Sequence, residues 1–323
     1  MAVHIFTASK ENYDVCFERG LVGVPEPKES RSKDNVFDGL LSRLSGIKEN
    51  DYLLIYIIGE KELWGVWKVD GSPFYDETPV WSDRLYPLRC RIKPSEFCFS
   101  TPLKLNDIND MRNNGKIWTW ALQRASGSNS MFSISDCEFD VILREYLKIN
   151  PFSMNMWRVT KPYPYHESNI LSYIHTDNGS LKYEYSIMAY LNHSFQVGKF
   201  KEIFGNYTDT LCYVPTSLGR EMDILLIYAH PYEKATILSY DIIEVKRDEF
   251  DDKALSQLID YESWFLHKKV SGDLNMVRTT AIAKSFSDSV LDYVNKRKEI
   301  ENKPIKLIKY SYTEENGFSL TML

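Results

Sequence analysis

The chain has 323 residues, 43% hydrophobic and 26% charged, which is the range of a soluble globular protein long enough for two ordinary domains. A formal net charge of −6 argues against a surface coated in positive charge, though a local basic groove for nucleic acid stays open. Five scattered cysteines without a CxxC pair argue against a zinc site or a disulfide framework, and the absence of a signal-like start or a membrane-length apolar run gives a cytoplasmic expectation with no membrane partner.

Tyr52–Ile58 is a continuous apolar run, the mark of a buried strand, and Gly59–Glu62 reads as a turn into a second strand, Leu63–Val69. Trp64 and Trp67 on that strand are three apart and so face opposite sides. Leu85–Ile92 ends in alternating apolar and charged residues, as a half-exposed strand does. Short strands at this spacing predict a small β-barrel, closed off by a helix over Cys137–Leu147. Residues 149–178 hold Pro151, Pro162 and Pro164 without clean periodicity. They are read as a linker between a first domain over 1–148 and a second over 179–323.

The pattern then changes. Leu181–Leu191 reads as a helix and Thr210–Val214 as a strand. Arg220–Ile227 and Ile242–Lys246 read as two buried strands, being short, apolar and β-branched. Asp251–Lys269 is a helix: Asp251 and Asp252 favour its start, and His267, Lys268 and Lys269 its end. Its apolar stripe is Ala254, Leu258, Tyr261 and Phe265. Leu274–Ala283 follows as a strand and Phe286–Arg297 as a helix. This order predicts a mixed sheet with helices packed on it, so the fold class is α+β and α/β in two domains.

The most informative pattern is the charge inside the two buried strands. Asp223 interrupts the first, and Glu244-Val245-Lys246 ends the second. Residues i and i+2 of a strand share a face, so Glu244 and Lys246 point the same way. Buried charges are costly unless paired or bound to metal. Asp223 and Glu244 on neighbouring strands would form a two-carboxylate site for a hard cation, with Lys246 beside it to orient a water. Hydrolysis of a phosphodiester needs that layout.

From about Ser180 to Lys298 the chain thereby resembles the PD-(D/E)XK nuclease superfamily, whose motif is an acidic residue on one strand and Glu-x-Lys on the next. Gly219–Leu226 is similar to the subgroup that includes RecB-type and archaeal NucS-like nucleases. Glu184 stands in the preceding helix, where many members place another metal-site carboxylate. Gln257 and Tyr261 match the Gln-x-x-x-Tyr of RecB-like members, four apart and on one helix face. Met222 stands where the name-giving proline would be, a substitution common in the superfamily. The resemblance implies Mg²⁺ or Mn²⁺ held by Asp223, Glu244 and the Val245 carbonyl. Lys246 would position the water, with Glu184 and Gln257 as further site residues.

Residues 1–148 resemble the EVE domain, a relative of YTH domains within the PUA-like fold. The matching pieces are Asn12–Val15, Gly20–Pro25, Ile47–Tyr56, Gly65–Val69 and Tyr86–Ile92. The resemblance implies a pocket that stacks a flipped modified base and reads its edge by hydrogen bonds. Its expected walls are Trp81 and Trp118, with Ser130 and Arg124 as polar contacts. Val22 departs from many relatives, which carry an aromatic before Gly-Val-Pro, so a full aromatic cage is not implied.

A base reader joined to a nuclease is similar to a modification-dependent restriction endonuclease. Its expected partner is double-stranded DNA carrying a modified base, such as methylated or hydroxymethylated cytosine. Cutting both strands with one site per chain calls for a homodimer. A repair or structure-specific nuclease stays open, as does a non-catalytic nucleic-acid-binding protein, against which the intact Asp223, Glu244 and Lys246 argue. RNA also stays open, because PUA-like domains read both polymers.

Overall fold

The computed structural model describes residues 2–122, 130–151, 157–164, 168–315 and 317–323. The chain divides into two compact units, Met1–Tyr173 and Ile174–Leu323.

The first unit runs β1 (Val3–Ala8), α1 (Lys10–Arg19), β2 (Leu21–Val24), α2 (Lys33–Leu44), β3 (Tyr52–Ile57), β4 (Glu62–Val69), β5 (Phe74–Tyr75), β6 (Leu88–Pro94), β7 (Leu103–Lys104), α3 (Leu105–Asn113), β8 (Met131–Ile134) and α4 (Asp136–Ile149). The strands form one sheet in the order β2-β6-β4-β3-β1-β8, with β5 on β6 and β7 on β4. It curls into a half-barrel rather than a closed barrel. Every residue of β3 is buried, as its unbroken apolar run requires of a central strand. On one face Val3, Ile5, Leu54 and Tyr56 pack with Phe139, Ile142 and Tyr146 of α4. Ser135 and Glu138 cap α4 reciprocally, satisfying amides that its first turn leaves without partners.

β6 begins at Leu88, three residues later than the sequence suggests. Its Arg89 does not face water: it is fully buried. The guanidinium is satisfied instead, Nε donating to the Tyr86 carbonyl at 2.7 Å, NH1 to the Tyr163 hydroxyl at 2.8 Å and NH2 to the Thr78 carbonyl. Tyr163 in turn donates to Asp76 at 2.7 Å. Trp157 lies with its ring centroid 4.7 Å from that of Trp67. Where it is described, the proline-bearing stretch up to Tyr173 is therefore packed into the first unit.

The second unit runs β9 (Thr176–Asp177), β10 (Ser180–Leu181), α5 (Glu184–Gln196), α6 (Lys201–Phe204), β11 (Asp209–Pro215), β12 (Glu221–Ala229), β13 (Ile237–Val245), β14 (Glu249–Phe250), α7 (Asp252–Lys268), β15 (Val277–Ala283), β16 (Ser285–Phe286), α8 (Asp288–Glu301), β17 (Ile305–Thr313) and β18 (Gly317–Met322). Its main sheet has the order β11-β12-β13-β15-β17-β18. β11 to β13 form an antiparallel meander, β13, β15 and β17 are parallel, and β18 returns antiparallel. Parallel neighbours need crossovers, which α7 and α8 supply. Asp251 caps α7 by accepting from the Ala254 amide at 2.9 Å, and Ala254, Leu258, Tyr261 and Phe265 are buried along it. The expected fold class holds: a mixed sheet flanked by helices beside an α+β half-barrel. The first turn of the expected helix over Leu181–Leu191 is replaced by the short strand β10, and β17 and β18 extend the sheet beyond the elements read from the sequence.

The packing of Tyr163 gives a direct test. Hydrogen bonds to charged groups contribute about 1.5–3 kcal/mol. Tyr163→Phe leaves buried Arg89 short of one acceptor, so thermal unfolding should show a loss of about that size in the first unit. A fragment ending at Tyr173 should likewise melt above one ending at Lys148. Equal melting points would mean that the segment between them adds nothing to the unit.

Candidate functional site

The charged centre of the second unit follows from strand register. β12 and β13 pair with Ile224 opposite Ile243, so Asp223 and Glu244 occupy the next rung. Residues directly opposite in an antiparallel pair share a face, and like charges there repel. Asp223 Oδ2 accepts from the Val245 amide at 2.8 Å. Glu244 is fully buried. Lys246 Nζ donates to Glu244 Oε1 at 2.6 Å and to the Val245 carbonyl at 2.9 Å, and stands 3.6 Å from Glu184 Oε2. Glu184 opens α5, which brings it to the end of β13.

One ammonium thus faces three carboxylates. Burial pushes Glu244 up to about 7 despite the adjacent lysine, and Glu184 pushes it the same way. Burial also raises Asp223 well above the ordinary carboxylate range, and Glu244 adds to this. Glu184 is raised by burial, with Lys246 opposing. Burial works against the Lys246 charge, but the three carboxylates outweigh it and hold Lys246 above its usual value. The cluster is short of positive charge.

That deficit suits a hard cation. Glu244 Oε2 is buried with no hydrogen-bond partner among the described residues. Among the described residues no group of three His, Cys, Asp or Glu side chains forms a ready-made cage. Two carboxylates and the Val245 carbonyl still supply three hard oxygens, and Mg²⁺ usually takes one or two carboxylates and keeps several waters. The donor set fits Mg²⁺ or Mn²⁺.

Gln257 and Tyr261 stand one turn apart on α7. Gln257 Nε2 donates to the Tyr261 hydroxyl at 3.0 Å, and that hydroxyl donates to the Glu221 carbonyl at 2.7 Å. Tyr261 is fully buried, and its hydroxyl is pushed up to about 12 by burial and then by Glu244. It is a neutral donor that ties α7 to β12 two residues before Asp223.

In the first unit a cleft of about 730 Å³ is lined by residues that include Ser9, Asn12, Gly23, Trp81, Asp83, Tyr86, Leu122 and Ser130. Asn12 Nδ2 donates to the Tyr86 hydroxyl at 2.8 Å and to Asp83 Oδ1 at 3.3 Å, and Tyr86 donates to Asp83 Oδ2 at 2.8 Å. Burial works against ionisation of Asp83, but the bonds from Tyr86 and Asn12 hold its carboxyl below the ordinary value. Cys16 also lines the cleft, and burial pushes its thiol up to about 12, which removes it as a nucleophile. Trp81 is only 5% exposed. Arg89 lies over its ring at 5.7 Å, and Tyr86 packs at 4.8 Å between centroids. Trp81 is the floor of the cleft more than a standing wall.

Of the expected pocket residues, Trp81 and Ser130 share this cleft. Trp118 does not: it lines a separate concavity beside α3, because its amide is held at 2.5 Å by buried Glu138. The two-walled pocket of Trp81 and Trp118 is thus corrected to a cleft with one of them. Arg124 lies outside the described residues. Asn12, Asp83 and Tyr86 were not among the expected contacts. Asn12 and Tyr86 did fall within the EVE-like segments, which was the available signal.

The family described as EVE domain matches residues 26–145. No curated protein sequence matches the chain. Among solved structures, a repair endonuclease from Pyrococcus abyssi is 16% identical, over 37% of this chain and 45% of that one, with a TM-score of 0.27. EndoMS in a complex with double-stranded DNA is 17% identical, over 46% and 49%, with a TM-score of 0.29. The chain thus spans about half the length of either nuclease. Human THYN1, in a complex with DNA containing 5-methylcytosine, is 11% identical, over 45% of this chain and 98% of that one, with a TM-score of 0.32.

A metal titration followed by thermal melting checks the site without any substrate. Occupancy at a hundred times Kd stabilises a protein by about 2.7 kcal/mol. Mg²⁺ or Mn²⁺ should therefore raise the melting temperature of the wild type and leave Asp223→Asn unmoved. Without metal, Asp223→Asn should melt higher than wild type, since an amide keeps an acceptor for the Val245 N–H and removes the repulsion with Glu244 that raises Asp223. An equal metal-induced rise in both proteins would place the ion elsewhere.

Proposed function

We propose that the chain is a metal-dependent DNA endonuclease that recognises a modified base and hydrolyses phosphodiester bonds nearby, as in modification-dependent restriction. The observation that carries this reading is the single rung holding Asp223 and Glu244, with Lys246 between Glu244 and Glu184. A bound Mg²⁺ would supply Lewis acidity and lower the pKa of a coordinated water.

The chain's own residues divide the remaining work. Asp223, Glu244 and the Val245 carbonyl hold the cation. The carboxylates around Lys246 favour its charged form, in which it is a donor and a positive charge. Its place beside Glu244 suits it to orient the attacking water and to stabilise the charge that builds on the phosphate oxygens. Glu184 holds Lys246 from the far side. Gln257 and Tyr261 act on position, by fixing the entry of β12. One centre of this kind cuts one strand, so a double-strand break calls for a second copy.

The reader function rests on the cleft and on the EVE match, which spans Trp81, Asp83, Tyr86 and Ser130. The ionised Asp83 offers an acceptor to the amino edge of a base, and Trp81 gives an apolar floor. A methylated or hydroxymethylated cytosine presents both features.

Cleavage assays with Mg²⁺ on matched plasmids separate the readings. The plasmids carry no modification, methylcytosine, hydroxymethylcytosine or methyladenine. One modified plasmid should be cut and the unmodified one spared. Equal cutting of all four would favour a repair or structure-specific nuclease, and no cutting would favour a binding protein. Lys246→Ala should abolish cutting and keep DNA affinity. A wild-type rate from that variant would show the catalytic assignment to be wrong.

A further inference from the structure

The first unit carries a second concavity, of about 520 Å³, beside the last turn of α3, lined by Asn109, Arg112, Asn113, Ile117 and Trp118. Its chemistry is one-sided. Arg112 is partly buried, and its guanidinium finds no acceptor among the described residues. Burial without a partner makes its charge costly, which lowers its pKa. The nearby buried carboxylate, Glu138, already accepts from the Trp118 and Thr119 amides, the Thr119 hydroxyl and Ser135. It does not neutralise Arg112. Asn109 and Asn113 line it as well, and their amides can donate to an anion. The lining therefore offers donors, one positive charge and a half-buried indole.

A guanidinium with amide donors suits a phosphate, and an indole beside them suits a base. Position agrees with this. Trp118 stands four residues before Leu122, which lines the base cleft, and four residues reach at most about 14 Å.

We propose that this concavity binds one phosphodiester of the DNA strand through Arg112, Asn109 and Asn113, with the adjoining base laid on Trp118. The proposal rests on the DNA-binding reading above. It gives Trp118 a role in backbone grip, outside recognition of the modification.

The test measures fluorescence anisotropy of the full chain on unmodified and modified duplexes, in EDTA, over a range of salt concentrations. Each phosphate neutralised adds about 0.9 to the slope of log affinity against log salt. Arg112→Gln should lower that slope by about 0.9 on both duplexes. Arg112→Lys should restore it. Trp118→Leu should weaken binding to both by about five-fold or more, as loss of one base–aromatic stack would. Among the described residues Arg112 has no acceptor to lose, so Arg112→Gln should fold normally, which a thermal melt checks. Wild-type binding with an unchanged slope in Arg112→Gln overturns this proposal alone. A wild type that binds neither duplex overturns the DNA reading and this proposal with it. Tighter, Arg112-dependent binding to RNA of the same sequence overturns the choice of polymer.

Discussion

Two carboxylates, Asp223 and Glu244, stand side by side on one rung of an apolar sheet, and much of the second unit is arranged around that arrangement's cost. Like charges opposite one another in a buried sheet repel, and low polarity sharpens the repulsion. Lys246 answers part of it and is itself shared with Glu184. The raised carboxylates and the orphaned Glu244 oxygen are the remainder. A fold that tolerates such a deficit loses stability at that point, and strain of this kind clusters at functional sites. α7 bears on the same place: Tyr261 crosses to the Glu221 carbonyl and fixes where β12 enters the sheet. An error of an ångström there would move Asp223 relative to Glu244.

The first unit has a comparable keystone of opposite sign. Arg89 is a fully buried cation, held by the carbonyls of Tyr86, which lines the cleft, and Thr78, and by the hydroxyl of Tyr163 from the segment after α4. Tyr86 gives Arg89 its carbonyl and gives Asp83 its hydroxyl. Arg89 covers one face of Trp81. Gly23 completes the floor: a Cβ there would meet Trp81 and Tyr86 at 2.9 Å, so only glycine lets the indole lie on β2. The shape of the cleft and the stability of the unit are therefore set by the same few contacts.

The segment from Ile117 to Leu122 separates two concavities of different character. One has an apolar floor and an ionised acceptor, the other amide groups and a guanidinium that meets no acceptor among the described residues. An acceptor at one end and donors at the other match the two chemistries of a nucleotide, its amino edge and its phosphate. The chain as a whole is acidic, with a net charge of −6, so any grip on a polyanion has to come from local groups such as Arg112.

What could be read from the sequence was whatever is written in short range. β12 and β13 were legible because charge interrupts runs that are otherwise apolar, and the α7 stripe because its period is helical. Same-face placement of Glu244 and Lys246 follows from strand geometry alone. β17 and β18 were not legible: their alternation is broken by consecutive buried residues such as Leu307 and Ile308, and β18 is a largely exposed edge. The proline-bearing stretch looked like a linker because its contacts, Tyr163 to Arg89 and Trp157 to Trp67, are long-range and leave no local period. The same reason divided Trp81 from Trp118. Residue type named both as candidate walls, but which concavity each lines depends on Gly23 and Arg89 for one and on Glu138 for the other. The sequence by itself determined the element types, the charged Asp223 and Glu244-x-Lys246 pattern and the fold class, because these depend on neighbours along the chain. Only the tertiary structure decided which aromatics floor the cleft, that Arg89 is buried and that Arg112 meets no acceptor among the described residues, because these depend on partners brought together from distant parts of the chain.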